Sequence, residues 1–152
     1  MKPLELLKRQ INKGILPHAY LFSGSGDDSK VTAVNYLIKE LLDSDYSGPH
    51  HPDLHKIESD PITIDDIRLL KLKASEGPLI AKKSFFYIKN IENLSREASP
   101  ALLKLLEEPN LKTFILATTQ NVGKLLPTLK SRFSHLKFIG NLPSGETEKF
   151  VI

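Results

Sequence analysis

Short runs that are apolar throughout recur along this chain, each followed by a stretch of helical periodicity. A strand alternating apolar with polar residues buries one face, whereas a run without that alternation must bury both. The runs fall at residues 18–22, 54–58, 84–89, 113–119 and 135–139, with Phe85, Phe86, Tyr87 and Ile88 giving the strongest strand signal. Helical stripes separate them. Leu4, Leu7 and Ile11 sit on one face of residues 3–13, stopped at Gly14. Val34, Leu37, Ile38, Leu41 and Leu42 line residues 29–42. A third helix, capped by Thr63 or Asp65, runs through Ile67 and Leu70 to Gly77-Pro78. A fourth spans about 95–108 before Pro109, and a short fifth covers 125–131. Pro100 falls inside the fourth, so either Ser99 re-caps a second piece or the helix kinks. Such alternation predicts an α/β fold: a five-stranded parallel sheet with helices on both faces.

A chain of 152 residues suffices for one domain of this kind. Its formal charge of +3 is too small to demand a nucleic-acid partner, and no apolar run approaches the ~20 residues of a membrane span. The start, Met1-Lys2-Pro3-Leu4-Glu5, lacks a secretory signal, which places the protein in the cytoplasm. Cysteine is absent, which excludes disulfides, thiolate zinc sites and cysteine nucleophiles. His50 and His51 are adjacent in a polar, turn-rich loop over 43–52, without the spacing of metal ligands, so no metal is expected.

In a parallel α/β sheet, ligands bind at the carboxyl ends of strands. The turn after the first strand reads Gly24-Ser25-Gly26-Asp27-Asp28-Ser29-Lys30-Val31. A phosphate loop needs glycines that free backbone amides, a lysine for the terminal phosphates and a hydroxyl for magnesium. Gly24 and Lys30 are in place, and Gly26 lies between them. The second required glycine is Ser29, and the hydroxyl has become Val31. Asp27 and Asp28 add charge that repels a triphosphate. The loop reads either as a working phosphate cradle or as a turn that keeps only its shape. Thr32 offers a displaced hydroxyl, which leaves weak nucleotide binding open. An ATPase of this architecture also wants an acidic pair after the third strand, where this chain has Lys89-Asn90, with Glu92 further on. The two defects are independent and together argue against hydrolysis.

An ordered set of strings then resembles one family. His18-Ala19-Tyr20-Leu21-Phe22-Ser23-Gly24, His51-Pro52-Asp53-Leu54, Ile64-Asp65-Asp66-Ile67-Arg68 and Leu102-Leu103-Lys104-Leu105-Leu106-Glu107-Glu108-Pro109 come first. Phe114-Ile115-Leu116-Ala117-Thr118-Thr119, Leu125-Leu126-Pro127-Thr128 and Ser131-Arg132 follow. Together they resemble the bacterial clamp-loader subunits of the AAA+ family, over about residues 15–138. Within it the delta-prime type, with its defective phosphate loop and lost acidic pair, resembles this chain better than the gamma/tau ATPases. The resemblance implies a P-loop nucleotide fold and a non-hydrolysing stator in DNA polymerase III. Its partners would be the gamma/tau and delta subunits and, through the complex, the sliding clamp and primed DNA. It also implies that the arginine of a Ser-Arg-Cys string, here Ser131-Arg132-Phe133, serves a neighbour's ATP. A guanidinium supplied in this way offsets charge on a transferring phosphoryl group. Without the string, Arg132 reads as a surface residue facing a helix dipole. Glu107 and Glu108 read as a solvated helix end, with an interface or structural role implied by the family.

This chain departs from the family in three places. Family members commonly carry a four-cysteine zinc module where 43–52 is short here, and usually asparagine where Pro100 stands. A helical lid and a collar would follow Ile152, so residues 1–140 are expected to form the nucleotide-fold domain and 141–152 a tail or the start of the lid. No cofactor is expected. The competing readings are a weak ATPase using Lys30 and Thr32 with magnesium-ATP, and a DNA-binding module using Lys82, Lys83, Lys124, Lys130 and Arg132.

Overall fold

A computed structural model describes residues 3–24, 27–42 and 50–138. Gly26, Ile139, most of the 43–52 loop and the 141–152 tail lie outside them. The elements follow in the order α1 (Pro3–Lys13), β1 (Ala19–Ser23), α2 (Asp27–Leu41), β2 (Leu54–Ile57), α3 (Ile64–Glu76), β3 (Ser84–Ile88), α4 (Ala98–Glu107), β4 (Thr113–Thr119), α5 (Pro127–Lys130) and β5 (Ser134–Lys137). The five strands form one parallel sheet ordered β2-β3-β4-β1-β5.

The period of two along each strand sorts the core onto the two faces. Tyr20, Phe22, Phe85, Phe114 and Leu116 point toward α1 and α2, where Leu7, Ala33, Val34 and Leu37 cover them. Ala19, Leu21, Phe86, Ile88, Ile115 and Ala117 point the other way, against Ile67 and Leu70 of α3, Leu102 and Leu106 of α4 and Leu129 of α5. On the first face Phe85 and Phe114 pack with ring centroids 5.0 Å apart, and Tyr20 meets Phe114 edge-on at 6.1 Å. Each large apolar side chain fully buried in this way contributes roughly 1.5–3 kcal/mol.

Only the inner strands are buried at every position. β1, β3 and β4 are, whereas β2 is mostly half-buried and β5 buries only Leu136. The expectation of doubly covered strands therefore fails at the two edges, where one neighbouring strand is missing and the covering helices reach less of the surface.

Local rules set the element ends. Thr63 caps α3: its hydroxyl accepts the Asp66 N–H at 3.3 Å, while the Asp66 carboxylate accepts the Thr63 N–H at 2.8 Å. Asp65 takes no part in that cap and pairs with Arg68 instead. The fourth helix begins at Ala98, later than the sequence suggests, so Pro100 lies in its first turn, where a missing N–H costs no helical bond. Ser95 rather than Ser99 receives the Ala98 N–H, and the Ser99 hydroxyl turns back to the Ser95 carbonyl.

Ahead of β2, the Asp53 carboxylate is buried (1 % exposed) and accepts the N–H groups of Leu79, Ile80 and Ala81 at 2.6–2.8 Å. Burial alone would raise its pKa. The three backbone donors outweigh that, with help from His51, and hold it below the ordinary carboxylate value. His51 Nδ1 accepts the Asp53 N–H at 2.9 Å, so this histidine helps shape the turn.

Candidate functional site

The chain leaves β1 toward the β2 edge and leaves β4 toward β5 on the other side of β1. The carboxyl ends of β1 and β4 therefore flank the point where the winding reverses, the usual ligand crevice of such sheets. Lys30, in the first turn of α2, lies there. It is 4 % exposed, and its Nζ donates to the Thr119 carbonyl at the end of β4 over 3.3 Å. Next to it Val31 is 41 % exposed, and its side chain carries no oxygen.

The end of β3 is laced to the end of β4. The Asn90 N–H donates to the Thr118 hydroxyl at 3.1 Å, with Asn90 in the left-handed region at φ 54°. Glu92 Oε2 accepts the Gln120 N–H at 2.9 Å, while its buried Oε1 has no hydrogen-bond partner among the described residues. Lys89 donates its N–H to the Ile57 carbonyl, leaving its side chain exposed. Lys30, Val31, Lys89, Asn90, Thr118 and Gln120 line a cleft of about 220 Å³ whose described lining includes two lysines and no carboxylate. Small-molecule sites are commonly about 300–1,000 Å³. A larger groove, about 430 Å³, lies between β2 and α3 over the stacked His55 and Phe86, away from every residue singled out for phosphate chemistry.

Gly24 has a packing reason of its own. Its φ is +130°, and a Cβ there would sit 1.8 Å from the Phe138 carbonyl oxygen. The same crossing brings the Phe138 N–H to the Ser23 carbonyl at 2.7 Å. The Ser23 hydroxyl is also hydrogen-bonded to His135 Nε2. Partial desolvation, then Lys130 and Lys137, depress the His135 pKa, which favours the neutral ring. Of the phosphate-loop residues, Lys30 thus reaches the crevice and Gly24 serves the crossing beside it.

Arg132 lies elsewhere. It precedes β5, so it sits at the amino end of a sheet whose cleft is at the carboxyl end. Those ends are separated by about 13 Å, the four residues of β5 at roughly 3.3 Å each. Buried Leu129 and Phe133 anchor the turn on either side, and Phe133 thereby fills an apolar position. The Ser131 hydroxyl donates to the Thr128 carbonyl at 2.8 Å, closing the turn rather than meeting the guanidinium. Arg132 Nη2 donates to Glu107 Oε1 at 3.1 Å, with the side chains 48 % and 41 % exposed. Glu107 is the partner that sequence reasoning missed, since 25 positions separate the two. The other lysines considered for DNA are dispersed: Lys82 and Lys83 precede β3, whereas Lys124 and Lys130 lie between β4 and β5. Among the described residues no three His, Asp or Glu side chains group as metal ligands, and no helix is long and apolar enough to cross a membrane.

Similarity to known proteins follows the same outline. A family model described as DNA polymerase III, delta subunit, matches residues 1–141. The DNA polymerase III subunit delta' of Bacillus subtilis is 30 % identical over 97 % of this chain and 50 % of its own length. That of Escherichia coli K12 is 28 % identical over 76 % of this chain and 40 % of its own. The chain thus spans at most about half the length of these curated relatives. Among solved structures, a gamma subunit-related protein of Thermotoga maritima superposes with a TM-score of 0.74 at 28 % identity, covering 94 % of this chain and 47 % of that one. The RuvB Holliday junction branch migration motor of the same organism shares the fold, with a TM-score of 0.61 at 19 % identity over 89 % of this chain and 42 % of its own. Its parallel sheet is that of the AAA+ P-loop proteins, and by a match running nearly its whole length the chain belongs to the delta-subunit family of DNA polymerase III.

Proposed function

We propose that this chain is the nucleotide-fold domain of a delta-prime-type clamp-loader subunit. It does not hydrolyse ATP itself and presents Arg132 to nucleotide bound by a neighbouring subunit. The observation that carries the reading is the position of Arg132. An exposed guanidinium at the amino end of the sheet is a strand's length from its own cleft, so it is placed for phosphate brought from outside this domain rather than for nucleotide in that cleft. There it would offset charge on the phosphoryl group in flight, an effect on the order of 10³–10⁵ in rate.

The cleft supports the other half of the proposal. Lys30 is turned to a backbone carbonyl, Val31 offers magnesium no ligand, and Lys89 and Asn90 replace the carboxylates that would hold the metal and activate water. These residues do not fit magnesium-ATP, so no cofactor is assigned. The relatives' names suggest gamma/tau and delta subunits as neighbours; in this proposal the sliding clamp and primed DNA are reached through the assembled complex. The segment beyond residue 140 would lead into a lid domain.

The test is ATP turnover by the clamp loader reconstituted with its cognate subunits, comparing wild type with Arg132→Ala after gel filtration shows equal assembly. A loss of about 10³-fold or more is expected. Unchanged turnover rejects the finger. Turnover by this chain alone that Lys30→Ala abolishes would reject the non-hydrolysing reading in favour of an ATPase using Lys30 and Thr32.

A further inference from the structure

The acidic end of α4 has no part in the function proposed so far, yet it holds the residue on which that function depends. Glu107 is the last residue of α4, a helix seated by buried Leu102 and Leu106, and Pro109 follows close behind. Arg132 stands on a turn seated by Leu129 and Phe133. Both bases are thus fixed in one apolar cluster, while the two side chains that meet at 3.1 Å project into solvent.

We infer that Glu107 is a positioning residue: it holds the Arg132 guanidinium in the orientation from which a neighbour's phosphate is met. The inference rests on the finger reading above. An unrestrained arginine spreads over many rotamers, and each must be given up when its planar fork engages phosphate. A carboxylate on rigid backbone removes much of that loss in advance. The contact uses Nη2 alone, and a guanidinium has five N–H donors, so most of the fork remains open to phosphate. Opposite charge so close could instead compete with phosphate. With both side chains nearly half exposed, solvent and salt weaken that competition. The pair is also weak enough to yield when phosphate arrives.

The experiment uses the reconstituted clamp loader and compares wild type, Glu107→Ala, Glu107→Gln, Arg132→Ala and the Glu107→Ala/Arg132→Ala double variant, each checked for assembly. Glu107→Ala is expected to lower kcat for ATP about three- to tenfold with little change in KM, because the finger acts in the transition state. Glu107→Gln keeps an acceptor and should recover part of the loss. In the double variant Glu107→Ala should add nothing to Arg132→Ala, since the two act through one contact. A loss that persists in the Arg132→Ala background would make Glu107 merely structural and overturn the inference. So would an unchanged or raised kcat in Glu107→Ala while Arg132→Ala still loses turnover, and the finger reading would then survive. If Arg132→Ala itself has no effect, the function proposed above fails, and this inference with it.

Discussion

Gly24 occupies a place where no side chain fits, because the chain leaving β5 passes directly over it. The sequence marked it as the first glycine of a phosphate loop, and the structure supplies a reason independent of phosphate. Gly24→Ala is therefore expected to destabilise the fold by at least about 1–3 kcal/mol, the cost of a strained backbone, before any clash is relieved. Urea unfolding measures this; a variant as stable as wild type would show that the Phe138 crossing is not held so tightly. Lys30 and Arg132 were legible as candidate residues because each lies in a short local string. Their partners, the Thr119 carbonyl and Glu107, were not, because 89 and 25 positions separate the pairs. No local pattern encodes a contact across such spacings.

At the scale of elements, the helix and strand types follow from periodicity, and their ends from caps. The connection from α3 to β3 is different, since its backbone is gathered by Asp53 from before β2. Folding lowers this carboxyl below its ordinary value of 3.8, so the unfolded chain binds the proton more readily. The stabilisation is thus fully present above that value and is lost as pH falls through the lower, folded one. Asp66, lowered chiefly by the Thr63 N–H, adds to the same trend. Unfolding free energies measured from neutral pH down to about pH 3 should therefore fall steeply for the wild type. Asp53→Asn should start lower at neutral pH and fall less steeply. Parallel curves would mean that the Asp53 charge does not hold the loop. His-Pro-Asp was visible as a string, but its role needed the segment that folds over it.

For the whole molecule, one sheet separates two apolar layers that share no side chain. Val34→Ala on the α2 face should cost about 1–3 kcal/mol and Ile67→Val on the α3 face about 0.5–1.5 kcal/mol. The double variant should match their sum within about 0.5 kcal/mol. A larger discrepancy in urea unfolding would mean that strain crosses the sheet. The sequence by itself determined the α/β class and the count and succession of strands, because strand and helix periodicity are local properties. Edge exposure at β2 and β5, the tie from Lys30 to Thr119 and the pairing of Arg132 with Glu107 were decided only by tertiary structure. So was the placement of Arg132 at the end of the sheet away from the cleft. Each depends on which strands become neighbours and which loops share an end, and that is settled by packing distant segments together.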